Sequence, residues 1–203
     1  MSATNARKKP FLRLATAAVA MVAALGMAAC SGGSVSSSPS TSAQVGDRSH
    51  EQIKEAGEIV IGIFSDKAPF GYIDADGKPA GYDVVYGDRI AADLGVTAKY
   101  VPVDAAARTE VLASNKVDIT LANFTVTPER AEKVDFANPY FKVSLGVVSP
   151  TSAEITDVNQ LAGKTLIITK GTTAEAYFEA NHPEVKLQKY DQYSDAYQAL
   201  EDG

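Results

Sequence analysis

From residue 58 onward, apolar and polar positions follow one another in a pattern that predicts strands and helices in turn. Residues 58–64 (EIVIGIF) are almost all apolar, which is typical of a short strand buried on both faces of a sheet. Residues 83–94 place apolar side chains at helical spacing, with Asp83 positioned to cap the helix start and Gly95 at its end. By the same criteria we predict strands at 98–103, 117–122, 143–149, 165–169 and 185–189, and helices at 107–114, 157–161, 173–181 and 194–200, with a short helix from Pro128.

The alternation of strands and helices predicts an α/β fold. Strands that are joined through helices form a mainly parallel sheet with helices on both faces, and ligands gather beyond the carboxyl ends of its strands. The pattern restarts after Pro150, which predicts a first lobe at residues 48–148 and a second lobe at residues 149–203.

Residues 1–29 have the composition of an export signal. Basic residues precede an apolar run at 14–27, which at about 14 residues is shorter than the roughly 20 that span a bilayer. Ala28 and Ala29 come directly before Cys30, the only cysteine, in a pattern similar to the bacterial lipobox. We therefore predict a lipoprotein signal peptide at 1–29 and a lipidated Cys30 at the mature N-terminus. Because Met27 stands where Leu is commoner, ordinary cleavage after Ala29 is the alternative.

The exported part of the chain is acidic and begins with a tether. Residues 30–47 are rich in Ser and Gly and lack apolar periodicity, so we predict that they are disordered. Loss of residues 1–29 removes four of the 19 Lys and Arg residues and none of the 25 Asp and Glu residues, which leaves a net charge of −10. This charge disfavours nucleic acid and anionic lipid headgroups as partners.

The segment 122–130 (ANFTVTPER) carries the first candidate chemistry. Thr127 suits the position that caps a helix, and Pro128 suits the first helical position. Arg130 does not suit the third position, because its charge lies near the positive end of the helix dipole. A bound carboxylate would remove this misfit, with Thr125, Thr127, free N–H groups and the guanidinium as its donors. A solvated surface arginine on an ordinary capped helix is the alternative.

A second helix start, at residues 170–175, has similar properties. Thr172 and Glu175 have the spacing of a capping box, and Gly171 permits a close approach of the backbone to a ligand. Both helix starts follow a strand, so we expect them to meet across a cleft between the lobes, with Thr172 as a candidate contact to one small anion. A simple helix cap is the alternative here.

Several motifs occur in the order and spacing of one protein family, from about residue 58 to the end. The chain resembles the polar amino acid-binding proteins of ABC transporters, bacterial solute-binding family 3, and within it the lipoproteins that include cysteine-binding members. The resemblance implies a two-lobed, type II periplasmic-binding-protein-like fold. The motifs that carry it are FSDKAPFGY at 64–72, GYDV at 81–84, NKVD at 115–118, NFTVTPER at 123–130, VDFANPY at 134–140 and GTT at 171–173.

The resemblance also implies roles for individual residues. Arg130 would bind the α-carboxylate of an amino acid, Thr125 would add a hydroxyl or N–H, and Thr173 would donate from the second lobe. Asn123 would present its backbone carbonyl to the α-ammonium. Arg108 matches a position that reaches the side chain in binders of acidic ligands, with an exposed arginine at a helix start as the alternative.

The aromatic residues bear on the choice of ligand. The resemblance implies that the residue at position 64 follows ligand charge, so the uncharged Phe64 favours a polar neutral L-amino acid, with cysteine as a candidate. Phe64, Phe70 and Tyr72 form a candidate apolar wall, although such aromatic side chains are by default core residues.

We expect the extracytoplasmic substrate-binding component of an amino acid ABC importer, without cofactor or metal, acting as a monomer by closure of its lobes. A permease and its ATPase would be its partners. The protein would lie at the outer face of the cytoplasmic membrane or in the periplasm, with its lipid anchor as the only membrane contact.

An enzyme on the same fold, dehydratase-like or peptidoglycan-active, is the alternative. We do not expect an enzyme, because His50 and His182 lie outside the motifs and the sequence lacks HExxH, paired-cysteine and GxSxG patterns.

Related chains continue beyond the position of Gly203. They carry an acidic residue that pairs with the ligand's ammonium on a further strand, and then cross back to the first lobe. We therefore expect a C-terminally truncated chain with an incomplete second lobe and weak or absent ligand binding.

Overall fold

The computed structural model describes residues 46–203. The predicted signal peptide, Cys30 and most of the tether lie outside the described residues. Among the helices of this part of the chain, none has the length and apolar character needed to cross a membrane. In chain order, the elements are α1 (His50–Ala56), β1 (Glu58–Ile63), β2 (Asp66–Lys67), β3 (Gly71–Ile73), β4 (Pro79–Ala80), α2 (Tyr82–Leu94), β5 (Thr97–Pro102), α3 (Arg108–Ala113), β6 (Ile119–Leu121), α4 (Pro128–Ala131), β7 (Thr165–Thr169), α5 (Thr173–Asn181), β8 (Lys186–Tyr190) and α6 (Tyr193–Asp202), with 3₁₀ turns at Thr151–Ala153 and Val158–Leu161.

The central sheet has the strand order β5-β1-β6, and both neighbours of β1 are parallel to it. Successive side chains of β1 point to opposite faces, which explains why nearly the whole strand is apolar. Ile59, Ile61 and Ile63 join one core cluster, which packs against α2. Val60 joins the other cluster, together with Phe64 just beyond the strand. The predicted mainly parallel sheet with apolar strands is thus confirmed.

A second parallel pair, β7 and β8, follows later in the chain. Its core consists of Leu161, Ile168, Phe178 and Val185, with α5 packed against β7. A small antiparallel sheet of β2, β3 and β4 completes the strands. The two parallel sheets lie on either side of residue 148 in the sequence, and the boundary of the lobes there stays a prediction.

Three predicted elements differ in the structure. The helix predicted at 157–161 is a 3₁₀ helix at Val158–Leu161. The helix predicted to start at Asp83 begins at Tyr82 after Gly81, and Asp83 lies buried in its first turn instead of capping it. The strand predicted at 143–149 is absent, and Val148 is 78% exposed. A strand needs a hydrogen-bonded neighbour, and the described residues provide none for this apolar segment.

The end of the predicted tether is held by the folded part of the chain. Gly46 donates its N–H to Asp118 Oδ1 at 2.9 Å, and Arg48 binds both oxygens of the same carboxylate. Gly46 adopts a φ of 85°, and a Cβ atom there would lie 2.5 Å from the Val117 carbonyl oxygen. Gly46, at the end of the predicted tether, thus has backbone partners that composition does not reveal, and the disorder of the tether stays a prediction.

Candidate functional site

A cavity of about 430 Å³ is lined by residues from both predicted lobes. Asn123 and Thr125 follow strand β6, while Thr172 and Thr173 lie at the start of α5, just after β7. These positions are at the carboxyl ends of parallel strands, where the topology was expected to place a ligand. The structure thus brings the two predicted helix starts to one cavity.

Arg130 lies in the wall of this cavity and is half-buried. Its Nη1 donates to the Thr125 carbonyl at 2.7 Å, its Nη2 donates to the Gly171 carbonyl at 2.9 Å, and its guanidinium lies 4.9 Å from the Phe124 ring centroid. Arg130 is therefore not the solvated surface arginine of the alternative interpretation. Helix α4 is a single turn, and the Thr127 hydroxyl accepts the Arg130 N–H at 3.4 Å. Fewer backbone N–H groups are therefore free for an anion than the sequence predicted.

Arg108 is only 2% exposed, which excludes the exposed arginine proposed from the sequence. It donates Nε to Ala105 at 2.8 Å, Nη1 to Ala122 and Asn123 at 2.9 Å each, and Nη2 to Gly171 at 2.8 Å, always to a backbone carbonyl. Four of its five N–H groups are thereby used, which leaves one for a ligand. Burial and the nearby charge of Arg130 lower the pKa of Arg108 to about 10, so it is charged at neutral pH.

Gly171 connects the second helix start to the first lobe. Its carbonyl accepts from both arginines, and at φ 71° a Cβ atom there would lie 2.4 Å from Ala106 Cα. The close approach predicted for Gly171 is therefore made to the backbone of the first lobe. The predicted capping box forms only in part: Thr172 accepts from the Glu175 N–H, but the Glu175 carboxylate accepts from Gly171, one residue before the cap.

Asn123 differs from the role that the resemblance implies. It adopts a left-handed φ of 45°, and its carbonyl accepts from Arg108 at 2.9 Å and from the Thr125 N–H at 3.1 Å. These bonds use both lone pairs of the carbonyl oxygen. The buried Asn123 Oδ1, in contrast, has no hydrogen-bond partner among residues 46–203.

The aromatic wall also differs from expectation. Phe64 is 1% exposed and belongs to the core, and Tyr72 lies within β3, so neither lines the cavity. Phe70 does line it, with two residues that the sequence analysis missed, Phe141 and Tyr193. Tyr193 lies three residues after β8. The rule that ligands gather at the carboxyl ends of strands could therefore have identified it from the sequence. Phe141 precedes a segment taken for a strand, and we see no sequence signal for it.

The cavity is strongly cationic. Lys67 and Lys142 join Arg108 and Arg130 in its lining, and no acidic residue of the described chain does. Such a field favours an anionic group. Within residues 46–203, no cluster of His, Cys, Asp and Glu has the geometry of a metal site, and His50 and His182 lie outside the lining.

Asp83 is a buried carboxylate close to this cavity. Its Oδ1 accepts from the Tyr140 hydroxyl at 3.3 Å, next to Phe141, and its Oδ2 has no partner in the described part of the chain. Burial raises the pKa of Asp83 to about 6, although the Tyr140 hydroxyl and the charge of Lys67 act in the opposite direction. Compared with the unfolded chain, the folded protein therefore favours the protonated carboxyl, which still ionises as the pH rises above about 6.

We expect Asp83→Asn, which imitates the protonated form, to be more stable than the natural chain at about pH 8 by on the order of 1 kcal/mol. The pKa of Asp83 in the folded chain lies above the unfolded value of about 3.9. The natural chain therefore has its full stability from the protonated Asp83 below about pH 3.9 and loses it as the pH rises through 6. Urea denaturation at about pH 4, 6 and 8 measures this, and the difference between the two proteins shrinks toward pH 4. Asp93→Asn, exposed on the same helix, is the control. Parallel pH profiles of Asp83→Asn and the natural chain would contradict the assignment.

Comparisons with known proteins bear on the family and the fold of this chain. Residues 59–200 match the family described as bacterial extracellular solute-binding proteins, family 3. The solute receptor for L-cysteine of Neisseria gonorrhoeae is 54% identical with a TM-score of 0.75, covering 77% of this chain and 65% of that one. The cysteine-binding protein from Campylobacter jejuni is 51% identical with a TM-score of 0.73, covering 75% of this chain and 63% of that one.

A curated relative, the glutamine-binding protein of Geobacillus stearothermophilus, is 27% identical over 197 residues, covering 92% of this chain and 75% of its own length. The chain thus spans a little less than two thirds of the two solved receptors and three quarters of this relative. These likenesses establish the periplasmic-binding-protein-like fold. The chain belongs to the bacterial extracellular solute-binding proteins, family 3.

Proposed function

We propose that this protein is the exported substrate-binding component of an ABC importer and that it captures a small polar neutral L-amino acid, with L-cysteine as the leading candidate. The observation that carries the proposal is the guanidinium of Arg130 in the wall of a cationic cavity. Two of its five N–H groups bind backbone carbonyls, so three remain for the two oxygens of an α-carboxylate.

The neighbouring residues supply the rest of an amino acid site. Thr125 and Thr173 line the cavity, one from each side, and each carries a hydroxyl group that can bind the carboxylate; the N–H of Thr125 is already used by the Asn123 carbonyl. Asn123 Oδ1 is a buried acceptor without a partner in the described chain, and it suits the α-ammonium of the ligand. We therefore assign the ammonium contact to the side chain of Asn123 in place of its occupied carbonyl.

The ligand contacts both sides of the cavity, which suggests how capture proceeds. The amino acid docks on Arg130, and the second side then closes over it through Thr173. Export, a lipid anchor at Cys30, a permease and its ATPase belong to the same proposal. The names of the two solved receptors support its choice of L-cysteine as the ligand.

Thermal unfolding with millimolar amino acids tests this function, on the chain itself and on a version extended to the length of the solved receptors, which supplies the strand expected beyond Gly203. We expect L-cysteine, kept reduced, to raise the midpoint, because a ligand that binds only the folded state stabilises it. Cysteamine lacks the carboxylate and is the matched probe, for which we expect no shift. Recovery of unchanged L-cysteine by mass spectrometry distinguishes a binding protein from an enzyme. No shift with any amino acid, or an equal shift with cysteamine, would refute the proposal.

A further inference from the structure

The first turn of helix α6 contacts the first lobe through consecutive residues. The N–H of Ser194 lies 3.1 Å from Asp66 Oδ2 and its hydroxyl lies 3.5 Å from the same oxygen, while the Gln192 amide donates to Asp104. Gln192, at the capping position, makes no side-chain cap bond of its own. The carboxylate of Asp66 therefore caps α6 from a distant part of the chain.

Tyr193, between these two residues, is fixed on the wall of the cavity. The Tyr193 ring packs edge-on against Phe64, with 5.3 Å between the two centroids. The Lys67 ammonium lies 4.1 Å from the centroid of the Tyr193 ring. Aromatic edge contacts and cations over a ring face each favour one ring orientation. With α6 capped by Asp66 as well, the ring has little freedom to move aside.

The position of Tyr193 relative to the proposed carboxylate site follows from the aromatic rings of Phe124 and Phe64, which lie behind the cavity wall. Arg130 lies over Phe124, Arg108 lies over both Phe124 and Phe64, and Phe64 touches Tyr193. Arg108 thus separates Arg130 from Tyr193. Because Arg130 and Tyr193 line the same cavity, we place the side chain of an amino acid whose carboxylate is on Arg130 against the tyrosine.

We propose that Tyr193 limits the length of the ligand's side chain, and that Asp66 is a positioning residue that holds Tyr193 in place by capping α6. The inference rests on the proposed function. A short side chain such as that of cysteine or serine ends before the ring, whereas a longer one such as that of methionine meets it. The selected ligands are therefore L-amino acids with a short uncharged side chain.

Dissociation constants of L-cysteine and L-methionine, measured by calorimetry on the full chain, test the inference. In Tyr193→Ala we expect the affinity for L-methionine relative to L-cysteine to rise at least about tenfold, as expected when a steric contact with the ligand's apolar side chain is removed. Tyr193→Phe keeps the ring and should retain the natural ratio. Tyr197→Ala, exposed on the same helix, should also leave it unchanged.

Asp66→Ala should shift the ratio in the same direction as Tyr193→Ala, and Asp66→Asn, which keeps an acceptor oxygen for the cap, should restore it. If Tyr193→Ala does not fold, Tyr193→Leu provides the shortened side chain with less loss of apolar contact. An unchanged ratio in the folded Tyr193 variant, while the natural chain binds L-cysteine, overturns this inference alone. Failure of both the chain and its version extended to the length of the solved receptors to bind any amino acid overturns the proposed function as well.

Discussion

Arg130→Met is expected to lower the affinity for L-cysteine on the order of a hundredfold or more. Removing one partner of a partly buried, hydrogen-bonded charge pair costs about 2–5 kcal/mol, and each 1.4 kcal/mol is about tenfold in affinity. The fold should survive the change, because methionine still packs against Phe124 and the Gly171 carbonyl keeps its bond from Arg108. Calorimetric titration measures the affinity, and thermal unfolding without ligand checks the fold.

Arg89→Met is the matched control for this variant, because Arg89 is an exposed arginine whose ion pair with Asp93 lies on the surface. We expect its affinity to equal that of the natural chain. Arg130→Lys keeps the charge without the planar fork, so its affinity should fall between those of Arg130→Met and the natural chain. If Arg130→Met bound L-cysteine as tightly as the control, the guanidinium would not be the carboxylate site.

The parts of the fold that could be predicted from sequence are those set by local patterns. The apolar run of β1 predicted a buried central strand, because a two-residue period sends its side chains to two cores. The segment 143–149 has a similar apolar composition but no strand neighbour among the described residues, so the same reasoning failed there. Burial of Arg108 was also hidden, because its carbonyl partners come from three separate segments.

The candidate site divides in the same way. Thr125, Thr127 and Arg130 are close in sequence, so their helix start could be recognised and Arg130 identified as unusual within it. Tyr193 meets Lys67 across more than a hundred residues of sequence, and only the folded chain brings them together. The local misfit at Arg130 was therefore enough to propose a carboxylate site there, whereas the wall expected to limit the side chain depended on tertiary packing.

Asp118→Ala is expected to lower the free energy of unfolding by about 3–5 kcal/mol, because it leaves the buried charge of Arg48 without its partner. Only 2% of the Asp118 side chain and 6% of the Arg48 side chain is exposed. The carboxylate also accepts the N–H groups of Gly46 at 2.9 Å and Val60 at 2.7 Å. The carboxylate thus links the start of the described chain to the central sheet. Urea denaturation of the variant and the natural chain measures the difference in their free energies of unfolding.

The pH dependence provides an independent test of the same carboxylate. Burial by itself would raise the pKa of Asp118, but the hydrogen bonds from Arg48, Val60 and Gly46 hold it below its ordinary value. The stabilisation by Asp118 is therefore present above the unfolded pKa of about 3.9 and is lost as the pH falls through the folded pKa, so the effect of Asp118→Ala should shrink in acid.

Asp93→Ala, at an exposed ion pair, is the control, for which we expect a loss of less than about 1 kcal/mol. The double variant Arg48→Met with Asp118→Ala should lose less stability than the two single losses combined, because no unpaired charge remains buried. An Asp118→Ala variant as stable as the control would show that the buried pair of Arg48 and Asp118 does not stabilise the fold.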